Sequence, residues 1–198
     1  MIELLSSGAF AAVFILGASG AIMLLARTWR WRVTGLALQY VGVFWLVALS
    51  WPVGLASIKL VVGWMAGAIL GVSGINLLSP TGRRWPTERL FLGLVLLLVV
   101  LSVSTLVPEV LPWLPGSRPA QAWGGLLLIG MGLMHLGVAS HGLRVIISLL
   151  TTLSGFEILY AVVESSTLVA GLLAVVTLGI ALTGAYLLGT APEEALDQ

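Results

Sequence analysis

Apolar residues fall into seven long runs, at roughly 8–26, 33–51, 54–78, 90–111, 122–140, 144–164 and 167–189. A helix needs about 20 predominantly apolar residues to cross the hydrocarbon of a bilayer, with about 17 as a minimum. Each run meets that length. The joints between them are short and polar or proline-bearing: Arg27 to Arg32, Trp51-Pro52, Ser79 to Arg89, Leu111 to Gln121, His141-Gly142 and Ser165-Ser166. Only Trp51-Pro52 divides the second run from the third, so that joint separates a seven-span chain from a six-span one. Pro52 suits a first helical turn, where its missing N–H leaves no hydrogen bond unmade. The pattern predicts an all-α, polytopic membrane bundle of about seven transmembrane helices, a single membrane domain over 1–198 with an acidic tail at 190–198.

Composition narrows the function classes. The chain is 59% hydrophobic and 9% charged, with 24 glycines and no cysteine, and its mean hydropathy is +1.12. A soluble domain carries about 25% charged residues. A soluble enzyme, a nucleic-acid binder and a disulfide-stapled secreted module are all disfavoured, and nucleic acid is not an expected partner. Without cysteine, thiolate-held iron–sulfur clusters and thiol redox chemistry have no ligands here. Neither a phosphate-cradling glycine loop nor a His-Glu-x-x-His pair occurs. The seventh run holds no lysine for a retinal Schiff base. No cofactor is expected in this chain.

The placement of the few charges sets an expected orientation. With the N-terminus outside and the C-terminus cytoplasmic, Arg27, Arg30, Arg32, Arg83, Arg84, Arg89 and Arg144 fall in cytoplasmic loops and Arg118 alone falls outside, as the positive-inside rule requires. Trp29, Trp31, Trp51, Trp85, Trp113 and Trp123 lie near the run ends, where aromatic side chains anchor helices at the membrane interface. Glu3 precedes the first run and three arginines follow it, the reverse of a cleaved signal peptide. The expected location is the cell membrane, multi-pass.

Polar residues within the runs carry the remaining information, because an ionisable group at a helix centre costs about 2.5–3.5 kcal/mol or more. Glu157 lies 13 residues beyond Arg144, about 20 Å along a helix and past the midplane of the core. A carboxyl there is neutral or shares a proton or a cation. It is read either as a protonatable relay or as a protonated acid bonded to a neighbouring helix. Glu164, seven residues on, shares its face and is either a proton exit or a solvated helix end. Lys59 enters the third run near its outer end, where snorkelling is the ordinary behaviour. The series Gly63, Gly67 and Gly71 that follows it marks a close helix contact, which draws Lys59 toward protein and toward a direct or water-bridged pair with Glu157. His135 sits within the fifth run as a relay or packing residue. His141 is about 240° around the helix from it, a poor second haem ligand. Glu109, between Pro108 and Pro112, reads as a structural interface residue.

The stretch Leu153-Ser154-Gly155-Phe156-Glu157-Ile158-Leu159-Tyr160-Ala161 resembles the Gly-Leu-Glu-Ile segment in the K chain of bacterial NADH:quinone oxidoreductase (complex I), a three-helix membrane subunit. The likeness extends over 122–189 and includes the small apolar run Leu178 to Leu182. It leaves 1–121 as a four-helix N-terminal extension. Over its whole length the chain is similar to component E of hydrogenase-4, through Ser57-Ile58-Lys59-Leu60 and Leu143-Arg144-Val145-Ile146. The resemblance implies a non-catalytic membrane subunit beside antiporter-like chains and redox subunits, contributing to proton translocation or to anchoring the membrane arm. It implies a relay at Glu157 with Lys59, His135 and Glu164 as further candidates. The K chain carries a second buried acid in its last helix, whereas 167–189 holds none, and Val175, Val176 or Thr177 stands in that neighbourhood.

Other readings are a stand-alone small transporter or channel lined by Lys59, His135 and Glu157, and a purely structural scaffold of close-packed helices. The accessory C chain of a multisubunit cation/proton antiporter also resembles the K chain but is much shorter.

Overall fold

The computed structural model describes residues 8–26, 28–74, 86–114, 116–139 and 141–189, and among these every regular element is a helix. Seven α-helices follow one another: α1 Ala9–Leu25, α2 Trp29–Val47, α3 Val53–Ser73, α4 Pro86–Val110, α5 Pro119–Gly137, α6 Gly142–Val163 and α7 Thr167–Gly189. A 3-10 turn, Leu111–Trp113, follows α4. Four of the seven (α3, α4, α6 and α7) are long and apolar enough to cross a membrane. The protein thus has the character of a membrane protein. The others are 17 residues (α1) and 19 residues (α2 and α5) long, and α2 and α5 carry arginine, glutamine, histidine and glycine within their lengths.

Local chemistry sets the boundaries, and several differ from the expectation. Trp51-Pro52 is a true break: α2 ends at Val47, five non-helical residues follow, and α3 starts at Val53. Pro52 is the N-cap of α3, with φ −54° and ψ 140°, and not a residue of its first turn. Its extended ψ ends one helix direction and its carbonyl accepts the first bond of the next, from Ala56 N–H at 3.0 Å. Helix α2 starts at Trp29, four residues before the expected run. Arg30, Arg32 and Arg144 therefore stand in first helical turns and not in loops. Arginine is a good helix former, and two of these three reach back to the preceding helix: Arg32 Nη2 donates to Ala26 O (3.1 Å) and Arg144 Nη1 to Val138 O (3.4 Å). Both acceptors are C-cap residues, of α1 and α5, where a cation offsets the negative end of the helix. Arg89 belongs to the first turn of α4. Glu3, Arg27, Arg83, Arg84, Trp85 and the 190–198 tail lie outside the described residues.

The tryptophans divide. Trp113 is exposed, as an interface anchor should be, but Trp51 is buried and donates Nε1–H to Glu164 O at 2.9 Å. It pins the α2–α3 turn to the end of α6. Beside it Gln121 Nε2 donates to Leu46 O (3.0 Å) and Ser50 Oγ (2.7 Å), tying the start of α5 to the end of α2.

One core joins six helices. Leu16 of α1, Leu36 and Leu46 of α2, Leu70 of α3, Leu128 of α5, Leu150 and Ile158 of α6 and Ala181 of α7 belong to the same buried cluster. Helix α6 is its axis, with 56% of its apolar window buried, against 17% for α4. Helix α4 packs on α5 through a separate small cluster of Val103, Val107 and Ala122. Residues on either side of position 121 thus share one core.

Candidate functional site

Lys59 and Glu157 meet inside the bundle. Lys59 lies in the second turn of α3, and Glu157 lies six residues before the end of α6. Six residues of helix are about 9 Å, so both stand at the same depth below the end marked by Trp51 and Glu164. Lys59 Nζ is 2.7 Å from Glu157 Oε1, and the two side chains are 2% and 1% exposed. The lysine does not snorkel. Desolvating either charge alone costs several kcal/mol, and only close geometry offsets that cost.

The turn below Lys59 explains why it points inward. A methyl group built on Gly63 would fall within the ring of Tyr40. The bare face of α3 therefore seats the Tyr40 ring, and α2 and α3 close over the pair. The contact is local: a methyl on Gly67 would meet nothing within 4 Å, and one on Gly71 only Val33 at 3.6 Å. On the other side of the pair stands α7. Thr177 is buried, and its Oγ1 is 3.5 Å from Glu157 Oε1 and 2.9 Å from Leu173 O. Val175 and Val176 are exposed. Of these three residues of α7, only Thr177 faces the carboxylate.

Buried polar groups follow one another along α6 from the pair, which sequence reasoning missed, and they wind about 60° per step, so that Ser148 stands on the side of the helix opposite Glu157. Ser148, Thr151, Ser154 and Glu157 recur at every third position, and all four are buried. The three hydroxyls bond to carbonyls four residues back, at 2.6, 2.8 and 2.8 Å. Thr151 Oγ1 also lies 3.1 Å from Gln39 Oε1 of α2. Tyr40, next to Gln39, is buried, with its ring against Gly63. Gln39 Nε2, Tyr40 Oη and Glu157 Oε2 are buried without a hydrogen-bond partner among the described residues. The signal was present in the three-residue spacing on α6 and in a Gln-Tyr pair inside an apolar run.

The remaining candidates lie elsewhere. Glu164 is the C-cap of α6 and exposed; its backbone N–H bonds to Tyr160 O and its carbonyl receives Trp51. Glu109 is exposed in the last turn of α4. His141 is the exposed N-cap of α6. His135 is buried in the last turn of α5 and lines a cleft with Ser148, nine residues, or about 13 Å, along α6 from Glu157. It does not join the pair. Among the described residues no group of three His, Asp or Glu side chains is arranged to hold a metal ion. Comparison with protein-family models, with curated proteins and with solved structures finds no match.

Proposed function

We propose that this chain is a non-catalytic subunit of a complex-I-like or hydrogenase-4-like energy-converting assembly in the cell membrane, where Glu157 relays protons and Lys59 is its counter-charge. In this reading all seven helices span the bilayer, with the N-terminus outside, and the partners are antiporter-like membrane chains and redox subunits. The observation that carries the relay is the buried Lys59–Glu157 pair, 2.7 Å apart and within helices that can cross a membrane. Ionisable groups at such a depth mark ion and proton pathways by default.

The mechanism follows from the cost of an unpaired buried charge. Closed, the ammonium and carboxylate offset each other's desolvation. If a neighbouring subunit's charge or movement draws Lys59 away, the carboxylate left in low dielectric takes up a proton. Return of the ammonium releases it. Gln39, Tyr40 and Glu157 each keep a buried atom without a partner among the described residues, Gln39 where α2 meets Thr151 of α6, and water bridging these atoms would extend a path from the carboxylate. Thr177 can pass a proton but cannot store a charge, so this is a relay with one carboxylate where the K chain has two.

Mild solubilisation followed by mass spectrometry tests the assembly: antiporter-like and redox chains should accompany this one. Within that assembly Glu157→Gln should assemble normally and lower proton pumping per electron transferred. Unchanged pumping in the variant defeats the relay. A monodisperse chain recovered alone defeats the subunit reading and favours a stand-alone transporter.

A further inference from the structure

We infer that the Trp51 indole is a lid over the Lys59–Glu157 pair, closing the shorter of its two routes to water, and that its bond to Glu164 O is the latch. The lid takes its purpose from the relay proposed above, but its geometry stands apart from it. Six residues of α3 and six of α6 separate the pair from the helix ends beside Trp51 and Glu164, about 9 Å of helix. In the other direction α6 runs from Glu157 back to Gly142, about 22 Å. A proton or a water that leaves the pair by the short route passes the Trp51 end.

Three observations converge on a lid. First, Trp51 is buried where its surroundings are not. Pro52, Val53 and Gly54 at the start of α3 and Val163, Glu164 and Ser165 at the end of α6 are exposed, whereas Trp51 is 4% exposed. A tryptophan at a helix end ordinarily faces the membrane interface, as Trp113 does, and this one is turned inward. Second, what lies beneath it is small. Between this end and the pair, α3 contributes one buried residue, Ala56, and α6 contributes Ile158 and Ala161. Ala56 and Ala161 stand about one turn from Lys59 and Glu157 and belong to the same buried cluster as Trp51. At that level the helices that carry the pair offer only methyl groups, and the indole supplies the bulk. Third, the ring hangs from a turn and not from a helix. Trp51 lies in the non-helical stretch 48–52, and its Nε1–H donates to Glu164 O, at the C-cap of α6, over 2.9 Å. Gln121 holds the preceding residue, Ser50, at 2.7 Å, so the turn stays on α5 while the ring rotates. Water can replace the indole at the C-cap carbonyl of an exposed residue, so opening leaves no buried polar group unpaired.

The test uses the full chain in mild detergent. Because the chain has no cysteine, one introduced thiol is the only reactive one. Ala161→Cys puts it beneath the lid, and Ala66→Cys puts it at an equally buried position of α3, two turns beyond Lys59, as a control. The probe is a small, permanently charged methanethiosulfonate, which reaches a buried thiol only through water, and intact mass follows its addition. Trp51→Ala should speed modification of Ala161→Cys at least about tenfold, since the thiol no longer waits for a local opening, and should leave Ala66→Cys unchanged. Equal rates at Ala161→Cys with and without Trp51 overturn the lid. Trp51→Phe keeps most of the ring and removes its N–H, and should speed Ala161→Cys about twofold to tenfold, the worth of one hydrogen bond. A rate equal to that with Trp51 overturns the latch. If Trp51→Ala loosens the whole bundle, Ala66→Cys speeds up as well, and Trp51→Phe then decides the lid too: acceleration at Ala161→Cys alone supports it, and an unchanged rate or acceleration at both thiols overturns it. Unchanged pumping in Glu157→Gln would remove the relay and leave these rates as they are, so the two readings fail separately.

Discussion

At the scale of single residues, the Lys59–Glu157 pair sets the expected responses to mutation. A buried pair adds little net stability, but removing one partner strands the other charge at a cost of about 3–5 kcal/mol. Lys59→Met should therefore lower the thermal unfolding midpoint in detergent markedly. Lys59→Met/Glu157→Leu should recover more than half of that loss, since an apolar pair of similar volume needs no partner. A double variant as unstable as the sum of its single changes would show that the two side chains do not interact. Thr177 offers a milder contrast. Its hydroxyl is 2.9 Å from Leu173 O and only 3.5 Å from Glu157 Oε1, so its one hydrogen goes chiefly to its own helix. Thr177→Val should cost under about 1 kcal/mol in the same assay, and a loss as large as that of Lys59→Met would mean that the hydroxyl is a principal partner of the carboxylate.

At the scale of elements, glycine decides which helices touch. Helices α5 and α6 approach backbone to backbone: a methyl on Gly155 would stand 2.6 Å from Gly125 O and 2.8 Å from Ile129 N. In α3 the three spaced glycines read as one continuous seam, yet only Gly63 has a tightly seated neighbour, the Tyr40 ring. Gly63→Ala must displace that ring and should cost about 1–3 kcal/mol as overpacking. Gly67→Ala has open space and should leave stability unchanged or improve it, because alanine is the better helix former. Equal effects of the two changes on thermal unfolding would remove the assignment of the contact to Gly63. This comparison also marks how far sequence goes. Small-residue spacing reveals that a helix has a bare face, but its partner depends on helix rotations that side chains on other elements settle. For the same reason Glu157 and Lys59 were legible as costly buried charges, while Gln39, Tyr40 and the hydroxyls of α6 were not. Each of these is individually tolerable in a helix, and only the packing of α2 on α6 brings Gln39 to Thr151.

At the scale of the molecule, the helices were readable because a chain in hydrocarbon must satisfy its backbone within each segment. That demand makes spans long and apolar, and even the two-residue Trp51-Pro52 joint shows as a break. Their ends were less readable, since Arg30, Arg32 and Arg144 extend helices that charge alone would end. The bundle has two chemically distinct ends, one with Arg32, Arg144 and the cleft, the other with Trp51, Gln121 and Glu164. The positive-inside rule puts the arginine end in the cytoplasm, and labelling can test it directly. Because the chain has no cysteine, one introduced thiol reports its own side with no background to remove. His141 and Ser165 are both exposed and bracket α6 at its two ends. In intact cells an impermeant maleimide should label Ser165→Cys, and should label His141→Cys only after permeabilisation. The reverse pattern would turn the molecule over and bring the cleft to the outer leaflet. Labelling of both thiols in intact cells would mean that α6 does not cross, and with it would go the membrane depth of Glu157 on which the relay rests.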